Sequence, residues 1–462
     1  MKKILLLFLF FPCFVFSQSH NANWFFGDSV MLNFNDGVIT PSKAPGYAYE
    51  ASISYSDEDG NLLFYSDGSI IWNKDLEEMN NSPIEQRSYV EGSGSSMCQG
   101  SVVIPDPGNS SEYYIINHVG EGLKYSIIDM TLDEGLGDVE EVMKDIWIIE
   151  EYITEKLQAV KHANGRDWWV LFHKRIPSFG EDSTNTFYKL LITPEGISGP
   201  FEQNIGIKRN DFYLGQMVFS RDGSLLAYTE GNDLEIFNFH RCTGELSEYK
   251  NIISVNGPGY YPYGCAFSPN GSKIYISNGV SGNSKIFQYC LDCPDELSET
   301  KQLIYNCNIE DYGLGQMLLG PDDHIYFPII YMTLPNSIFT EEYMNLCVIN
   351  SPNTEGIACN LDTSTIWLGG QRSIAGLPNM LNYNLGALAG SDCDTLEVAI
   401  NNTINKSIIT IYPNPTKGYL FFKGNFSSNQ LYNIIITDAQ GKKVFIKKDI
   451  SLTQKLNISN LP

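Results

Sequence analysis

The sequence is poor in basic side chains and, after its first sixteen residues, in long apolar runs. Its 462 residues include 30 Lys and Arg against 54 Asp and Glu, which gives a formal net charge of −24. A field of that sign repels phosphate backbones and anionic lipid headgroups, so it argues against nucleic acid as a partner. Because no later segment approaches the ~18 apolar residues of a membrane-spanning helix, we expect no transmembrane segment in the mature chain.

The sequence also lacks the linear motifs that mark common active sites. Its six histidines include no His-Glu-x-x-His pair, and no Gly-x-Ser-x-Gly elbow is present. The acidic turn at residues 57–61 has Leu62 where a calcium-binding hand needs glycine. His162 and His173 flank one predicted hairpin and could meet, but such histidines are mostly partly buried polar residues. We therefore assign no catalytic residues and no cofactor, and favour a protein that is not an enzyme.

The cysteines do not indicate a disulfide framework, because a chain of this length does not depend on one as a small secreted domain does. Ten are present, and removal of an N-terminal leader containing Cys13 leaves nine, so at least one thiol stays free or pairs between chains. Cys290 and Cys293 are the only close pair, and a zinc site needs a second one. We therefore predict no metal site, and this pair forms either a surface disulfide or buried thiols.

The N-terminal segment has the pattern of a secretory signal peptide. Lys2 and Lys3 precede an uncharged stretch at residues 4–16, and the small residue Ser17 follows it. We predict that residues 1–17 are cleaved on export to the periplasm. The Phe-Pro dipeptide before Cys13 differs from the small residues that a lipoprotein signal needs, so lipid anchoring is not expected.

Short strand-forming segments separated by Gly, Asn and Asp recur along the chain, which favours an all-β fold. A strand, a tight turn and a second strand form a unit that occurs six times, with turns at residues 60, 108, 165, 223, 271 and 323. Glycine beside Asn or Asp suits a two-residue hairpin turn, whose central residues need positive φ. A third alternating strand then follows, and a fourth closes each unit.

A repeat of four antiparallel strands every ~50 residues is typical of a β-propeller blade. One further period after residue 323 reaches residues 374–380, which we interpret as the inner strand of a seventh blade. Its outer strands would come from residues 24–27 and 30–34, so that both ends of the domain share a blade and no sheet edge stays open. Each period is too short for a row of separate sandwich domains. We predict an all-β, seven-bladed β-propeller over residues 18–388.

Several motifs of this region resemble those of exported bacterial WD40-like propellers. They are residues 23–27, 59–68 with Trp72 and Asn73, 161–168, 241–244 and 376–378. The resemblance spans roughly residues 22–385 and implies the propeller fold and export to the cell surface. It implies little about function, because propellers host many unrelated activities.

The end of the chain differs in composition from the propeller region. Residues 389–408 are rich in Gly, Ser, Asp and Asn and lose the repeat, so we interpret them as a linker. Residues 409–462 carry seven lysines against two aspartates, whereas the rest of the chain is strongly acidic. Short strands and the Gln440-Gly441 turn predict a small β-sandwich, and its opposite charge suggests a separate task.

Residues 409–462 resemble the type A C-terminal sorting domain of type IX secretion, with the sorting motif Tyr412, Pro413, Asn414 and Pro415. The resemblance implies that the type IX secretion machinery is a partner and that the protein is secreted or attached to the outer cell surface. In that family the domain directs passage through the outer membrane and is usually removed afterwards. The family pattern continues past Asn-Leu-Pro with a further strand and a basic end, so we expect an incomplete sandwich in a chain that stops at Pro462.

A set of polar residues lies just ahead of successive predicted inner strands: Gln99, Gln158, Gln216, Gln316, and Gln371 with Arg372. In a propeller they would ring one mouth of the central channel, where propellers that resemble this one bind ligands. They are therefore candidate residues for the binding of a polar or saccharide ligand. The alternative is that the glutamines hydrogen-bond to adjacent blades and satisfy their backbones.

Three functions fit these observations. The first is a non-catalytic secreted or surface-attached protein that binds a glycan, a polypeptide or another surface component. The second is a secreted hydrolase or lyase whose catalytic pair comes from different blades and escapes linear motifs. The third is a passive structural component of the outer surface. A channel that holds a clustered histidine and carboxylate, or a metal, would favour the enzyme.

Overall fold

The computed structural model describes residues 20–86, 94–177, 183–209, 214–253, 262–278, 284–307, 312–331, 342–394, 410–412, 419–423, 432–437, 443–451 and 455–459. The chain divides into two compact units, residues 1–395 and 396–462. The predicted signal peptide, most of the predicted linker, and Pro413, Asn414 and Pro415 lie outside the described residues.

The first unit is a series of antiparallel sheets that follow one another along the chain. The first sheet pairs β1 (Asn23–Asn33) with β2 (Thr40–Ala48). The second contains β3 (Ile53–Ser56), β4 (Leu62–Ser66) and β5 (Ile71–Asn73). In the third, β6 (Ser101–Pro105), β7 (Glu112–His118), β8 (Leu123–Asp129) and β10 (Ile146–Ile149) lie side by side, and β9 (Asp138–Val139) also pairs with β8.

The next three sheets are regular four-stranded meanders in chain order. They are β11 (Ile153–Lys161), β12 (Trp168–Lys174), β13 (Thr184–Thr193) and β14 (Gly196–Arg209); β15 (Met217–Phe219), β16 (Leu225–Glu230), β17 (Asp233–His240) and β18 (Glu245–Ile253); and β19 (Pro262–Phe267), β20 (Lys273–Asn278), β21 (Ser284–Cys290) and β22 (Gln302–Cys307). The predicted four-stranded repeat is confirmed most directly here.

The seventh sheet contains β24 (Leu318–Leu319), β25 (Ile325–Phe327), β27 (Asn345–Ile349) and β28 (Leu361–Trp367), beside a small sheet of β23 (Tyr312–Leu314) and β26 (Ile329–Tyr331). Short 3-10 helices lie at Asn35–Gly37, Asp133–Gly135, Glu141–Met143, Leu297–Thr300 and Gly356–Cys359. No helix within the described residues is long and apolar enough to cross a membrane.

Buried apolar clusters join neighbouring sheets around a closed ring. One cluster extends through the second, third and fourth sheets, and the following clusters join the fourth to the fifth, the fifth to the sixth and the sixth to the seventh. Trp24 packs with Val348 and joins the seventh sheet to the first, while Phe25 packs with Trp72 and joins the first to the second. The first strands β3, β6, β11, β15, β19 and β24 contact one another in succession. The chain therefore folds as a β-propeller of seven sheets.

The two ends of the propeller meet in the first sheet, as predicted. The Asp28 amide donates to the Arg372 carbonyl at 2.9 Å, which places residue 372 beside β1. Farther along, Ala375 accepts from Gln316 and donates to Tyr49, both at 3.1 Å. Residues 374–380 thus lie between the seventh and second sheets but form no regular strand, because their backbone groups bond to the segments that precede β3 and β24 instead of to one partner strand.

The hairpin turns lie where the repeat predicts them, but they are longer than two residues. Between β15 and β16, the Gly223 amide donates to Ser220, and the Ser220 amide donates to Leu225, so residues 221–224 form the loop. Gly223 has φ of +71° and Gly271 has φ of +72°, which is the conformation that favours glycine. The geometry is a tight turn followed by a left-handed residue, which reverses the strand with the correct twist.

The second unit contains two small antiparallel sheets. One has the order β29 (Thr410–Tyr412), β30 (Tyr419–Lys423) and β33 (Leu456–Asn457). The other pairs β31 (Tyr432–Thr437) with β32 (Lys443–Ile450). The apolar residues of β31 and β32 come in short runs, residues 434–436 and 444–446, and the two runs pair with each other in the sheet.

Candidate functional site

A pocket of about 160 Å³ opens where the inner strands of four sheets end. Residues near the ends of β11, β15, β19 and β24 form most of its wall, and residues 377–382, 384 and 385 form most of the rest. Side chains from separate blades meet here because the innermost strands converge on the propeller axis.

The floor of the pocket is a layer of buried amides on this axis. Gln99, Gln158, Gln216, Gln316 and Asn379 all line the pocket and are each less than 10% exposed. Gln99 and Gln158 each donate to the Asn379 side-chain oxygen at 3.3 Å, and Asn379 donates to the carbonyls of Ser101 and Leu157 at 2.9 and 2.8 Å. The layer therefore joins the third and fourth sheets to residues 374–380, which lie between the seventh and second sheets.

The amides also reach across the axis to backbone groups of distant sheets. The Gln99 side chain, from the third sheet, donates to the Met217 carbonyl at 2.9 Å and accepts from the Met217 amide at 2.7 Å. Gln216 accepts from the amides of Cys265 and Met317 at 3.0 and 2.8 Å. Gln316 accepts from the Leu377 amide at 2.8 Å and donates to the Cys98 carbonyl. These bonds are the interblade contacts that the alternative interpretation of the glutamines anticipated.

The structure brings four of the six predicted mouth residues together and places the other two elsewhere. Gln99, Gln158, Gln216 and Gln316 form the amide layer, whereas Gln371 and Arg372 do not line the pocket. The Arg372 guanidinium lies 3.1 Å from the Asp28 carboxylate, beside the ring closure. The polar capacity of the layer is largely used by backbone groups, so little of it is available to a ligand.

Charged residues cluster at the opposite side of the amide layer, where the inner strands begin. Glu50 accepts from the Tyr263 hydroxyl at 2.6 Å and from Ser96 at 2.9 Å, and Glu155 accepts from the Cys98 amide at 3.0 Å. Burial raises the pKa of Glu50, against the lowering effect of its two hydrogen bonds, and raises the pKa of the Cys98 thiol. None of these side chains lines the pocket.

A buried ion pair lies beside this cluster. Lys156 is 0% and Glu230 2% exposed at the side chain, and their charged atoms are 3.5 Å apart. The Tyr228 hydroxyl donates to Glu230, and the Lys156 ammonium lies 4.4 Å from the centre of the Tyr228 ring. Burial opposes ionisation of Glu230, but Lys156, His173, Arg209 and the hydrogen bond from Tyr228 together outweigh it, and the pKa of Glu230 is lowered. Each buried charge thus has a partner of opposite sign, which offsets the cost of burying it. We interpret the pair as structural, because removing one partner would leave an uncompensated buried charge.

Sequence reasoning missed these charged groups, although β11 carried a signal for them. Glu155 and Lys156 are adjacent charges near the start of a strand that is buried along almost its whole length. A charge in such a strand needs a partner in the fold.

The two histidines that flank the hairpin bind different groups. His162 lies 2.9 Å from the Cys242 carbonyl, and His173 packs on Phe187 and Tyr228.

The cysteines form two disulfides among the described residues, Cys242–Cys393 and Cys290–Cys293. The close pair predicted from the sequence is therefore a disulfide, and its sulfurs are not available as thiolate ligands of a metal. Cys98, Cys265, Cys307, Cys347 and Cys359 are buried free thiols. The Cys242–Cys393 bond links the turn after β17, which contains Cys242, to the segment that contains Cys393. That segment follows Leu385, a residue of the pocket wall.

Comparison with known proteins assigns the C-terminal unit. Residues 410–462 match the family described as the secretion system C-terminal sorting domain. No curated protein matches the chain.

The propeller is similar to several solved structures at low identity. A candidate 6-phosphogluconolactonase from Bacteroides fragilis is 12% identical, with 78% of this chain and 97% of that chain covered and a TM-score of 0.46. The β-propeller domain of Cps50 (Swd1) from Myceliophteria thermophila is 10% identical, with 67% and 92% covered and a TM-score of 0.38. Hydrazine synthase from Kuenenia stuttgartiensis is 13% identical, with 66% and 90% covered and a TM-score of 0.42. Likeness at this level carries no argument about activity.

The sheets, their closed ring and the matched C-terminal residues agree with the prediction from the sequence. The chain is an exported, cell-surface or secreted β-propeller protein that carries a C-terminal sorting domain of the type IX secretion system.

Proposed function

We propose that the protein is a non-catalytic binding protein, secreted or held at the cell surface, whose axial pocket receives an apolar group of a polypeptide. The observation that carries this proposal is the composition of the pocket. Of the described residues that line it, none is Asp, Glu, His or Lys. Burial raises the pKa of its single thiol, Cys265. General acid, general base and thiolate chemistry therefore have no group at this site.

The walls of the pocket support an apolar ligand. Val218, Phe219, Leu318, Leu319 and Leu385 line it and remain partly exposed, unlike the fully buried residues of the interblade clusters. Partly exposed apolar side chains gathered in one concavity are a common feature of binding sites, since covering them removes apolar surface from water. The saturated amide floor offers few hydrogen bonds to the hydroxyls of a sugar, so the pocket favours a polypeptide over a glycan.

Polar groups at the rim would orient such a ligand. Arg221 lines the pocket, pairs with Asp323 at 2.5 Å and is about half exposed. The Asn382 side chain donates to the Arg221 carbonyl at 2.7 Å and holds this loop in place. A few oriented polar groups around an apolar cavity are the usual arrangement at ligand sites, where they supply specificity.

A binding screen with a blocked variant tests this function. The purified full chain is applied to a peptide library and to a glycan array, and each binder is measured again with Leu318→Arg, which places a long cation in the pocket. Val142→Arg is the control, because Val142 is 81% exposed and lies outside the pocket. We expect peptide binding that Leu318→Arg reduces at least tenfold and Val142→Arg leaves unchanged.

Two outcomes would contradict the proposal. Binding that is confined to glycans, or that survives Leu318→Arg, would move the ligand site elsewhere. Cleavage of a bound ligand, followed by mass spectrometry, would support the hydrolase or lyase, and its loss in Glu155→Gln would assign it to the charged groups at the other end of the axis.

A further inference from the structure

The disulfide between Cys290 and Cys293 has a buried cation at one of its sulfurs. Lys273 on β20 is paired in register with Cys290 on β21, so its side chain projects along the same face of the sheet. Its ammonium lies 3.0 Å from the Cys290 sulfur, and its side chain is only 10% exposed. Cys290 is itself buried, whereas Cys293 in the following loop is half-buried.

This arrangement divides the roles of the two sulfurs. An external thiolate reaches the more accessible Cys293, and the bond then breaks towards Cys290. A positive charge next to Cys290 stabilises the thiolate that leaves, and a stabilised thiolate leaves faster and favours the reduced state. The two cysteines stand three residues apart in a Cys-Leu-Asp-Cys sequence, which is the spacing that lets one cysteine form or resolve a disulfide with the other.

One nearby charge acts in the opposite sense. The Asp292 carboxylate lies 3.2 Å from the Cys290 sulfur and 3.6 Å from the Lys273 ammonium. Its side chain is 67% exposed, so water screens it far more than it screens the buried lysine. The net field at Cys290 therefore favours a thiolate.

The second disulfide of the molecule provides an internal comparison. Cys242–Cys393 joins residues 151 positions apart, and among the described contacts the neighbour of its sulfurs is the Ser391 hydroxyl, 3.5 Å from Cys393. It has no described cation in contact with either sulfur. The environment of Cys290–Cys293 is thus a property of that site and not of every disulfide in the chain.

We propose that Cys290–Cys293 is a redox-active disulfide that oxidises an external dithiol. One thiolate of the dithiol attacks the Cys293 sulfur, the Cys290–Cys293 bond breaks, and its electron pair leaves on Cys290 as a thiolate beside Lys273. The second thiolate of the dithiol then attacks the first dithiol sulfur and releases Cys293 as a thiolate. The dithiol is oxidised by two electrons to its disulfide, the cysteine pair is reduced by two electrons, and solvent supplies and accepts the protons.

The redox equilibrium of the full chain tests this site with dithiothreitol as the dithiol. The protein is equilibrated at pH 7 in mixtures of reduced and oxidised dithiothreitol and quenched with acid, its free thiols are alkylated, and each cysteine peptide is quantified by mass spectrometry. We expect Cys290–Cys293 to be half reduced at a reduced-to-oxidised ratio at least tenfold lower than Cys242–Cys393.

Variants of Lys273 separate a redox site from a structural crosslink. Lys273→Met should raise the ratio needed for half reduction of Cys290–Cys293 about tenfold, Lys273→Arg should restore most of the effect, and Lys250→Met, which changes an exposed lysine of β18, should have none. If Lys273→Met does not fold, the comparison of the two disulfides in the unmodified chain still decides the matter. Equal half-reduction ratios for the two disulfides, or a ratio that Lys273→Met leaves unchanged, would overturn the proposal.

Discussion

Gln216 illustrates how a single side chain holds blades together. Its oxygen accepts from the amides of Cys265 and Met317, and its nitrogen donates to the Met317 carbonyl at 3.2 Å. These bonds satisfy the backbone groups of Cys265, within β19, and of Met317, directly before β24. Both strands lie at the edge of their sheets, where one side of the backbone has no neighbouring strand. The sequence predicted the position of the glutamines along the chain. It did not predict their partners, because those lie 49 and 101 residues away.

The buried His173 makes stability depend on pH. It packs on Phe187 and Tyr228, and burial lowers its pKa from 6.5 to about 4. Between pH 6.5 and 4, His173 is therefore protonated in the unfolded chain but neutral in the folded chain. The free energy of unfolding falls as the pH is lowered through that range. The loss should approach about 3 kcal/mol at pH 4.

Urea unfolding at pH 6.5, 5 and 4 measures this effect. His173→Gln should remove most of the slope, whereas His240→Gln, at an exposed position, should keep it. An unchanged slope in His173→Gln would assign the pH dependence to other groups, such as the carboxylates of the charged cluster.

At the scale of elements, the repeat could be predicted from the sequence because few residue types suit the turns. The turns at Gly60, Gly165, Gly223 and Gly271 all have positive φ, and Asp323 adopts the same conformation in the last repeat. Turn chemistry is local, so the sequence predicts it well. The β23–β26 sheet and the strand pairing of β9 were not predicted, since neither recurs along the chain.

Gly223 and Gly271 occupy equivalent turns, and substituting each would distinguish the effect of backbone strain on stability from the effect of steric crowding. A Cβ at Gly223 would lie 2.7 Å from a methyl of Val160 and 3.0 Å from Arg241, whereas nothing lies within 4 Å of one at Gly271. Gly271→Ala should lower the free energy of unfolding by about 1 kcal/mol, from the left-handed backbone alone.

Gly223→Ala should cost about 2–4 kcal/mol, because contacts between the fourth and fifth sheets must also shift. Chemical denaturation of both variants gives the comparison. Equal losses would show that Val160 and Arg241 move aside without cost.

At the scale of the whole molecule, the propeller depends on the contact between its two ends. Trp24 is 0% exposed and lies 4.6 Å from Phe34 and 5.3 Å from Tyr326, ring centre to ring centre. It fills the space between the first and seventh sheets. The sequence suggested this closure from the count of repeats, and the structure shows that residue 372, rather than residues 374–380, makes the bridge to β1.

Truncation of Trp24 should open this junction. Trp24→Ala should lower the free energy of unfolding by about 3–5 kcal/mol through the lost apolar contacts and the cavity that remains. Trp367→Ala, at a tryptophan that is 49% exposed, should cost less than about 1 kcal/mol. Denaturant titration of both variants is the measurement, and equal losses would mean that the closing contact is not a special determinant of stability.

The sequence by itself determined the all-β class, the repeat, the export signals and the opposite charge of the C-terminal unit. Strand alternation, turn glycines and short motifs depend on residues that are close together in the chain. Only the tertiary structure decided that four glutamines from separate blades meet with Asn379, that Lys156 pairs with Glu230, and that Lys273 lies against the Cys290–Cys293 disulfide. Each of these contacts joins separate strands, and most join separate blades. Their geometry exists only once burial of the apolar clusters has closed the ring.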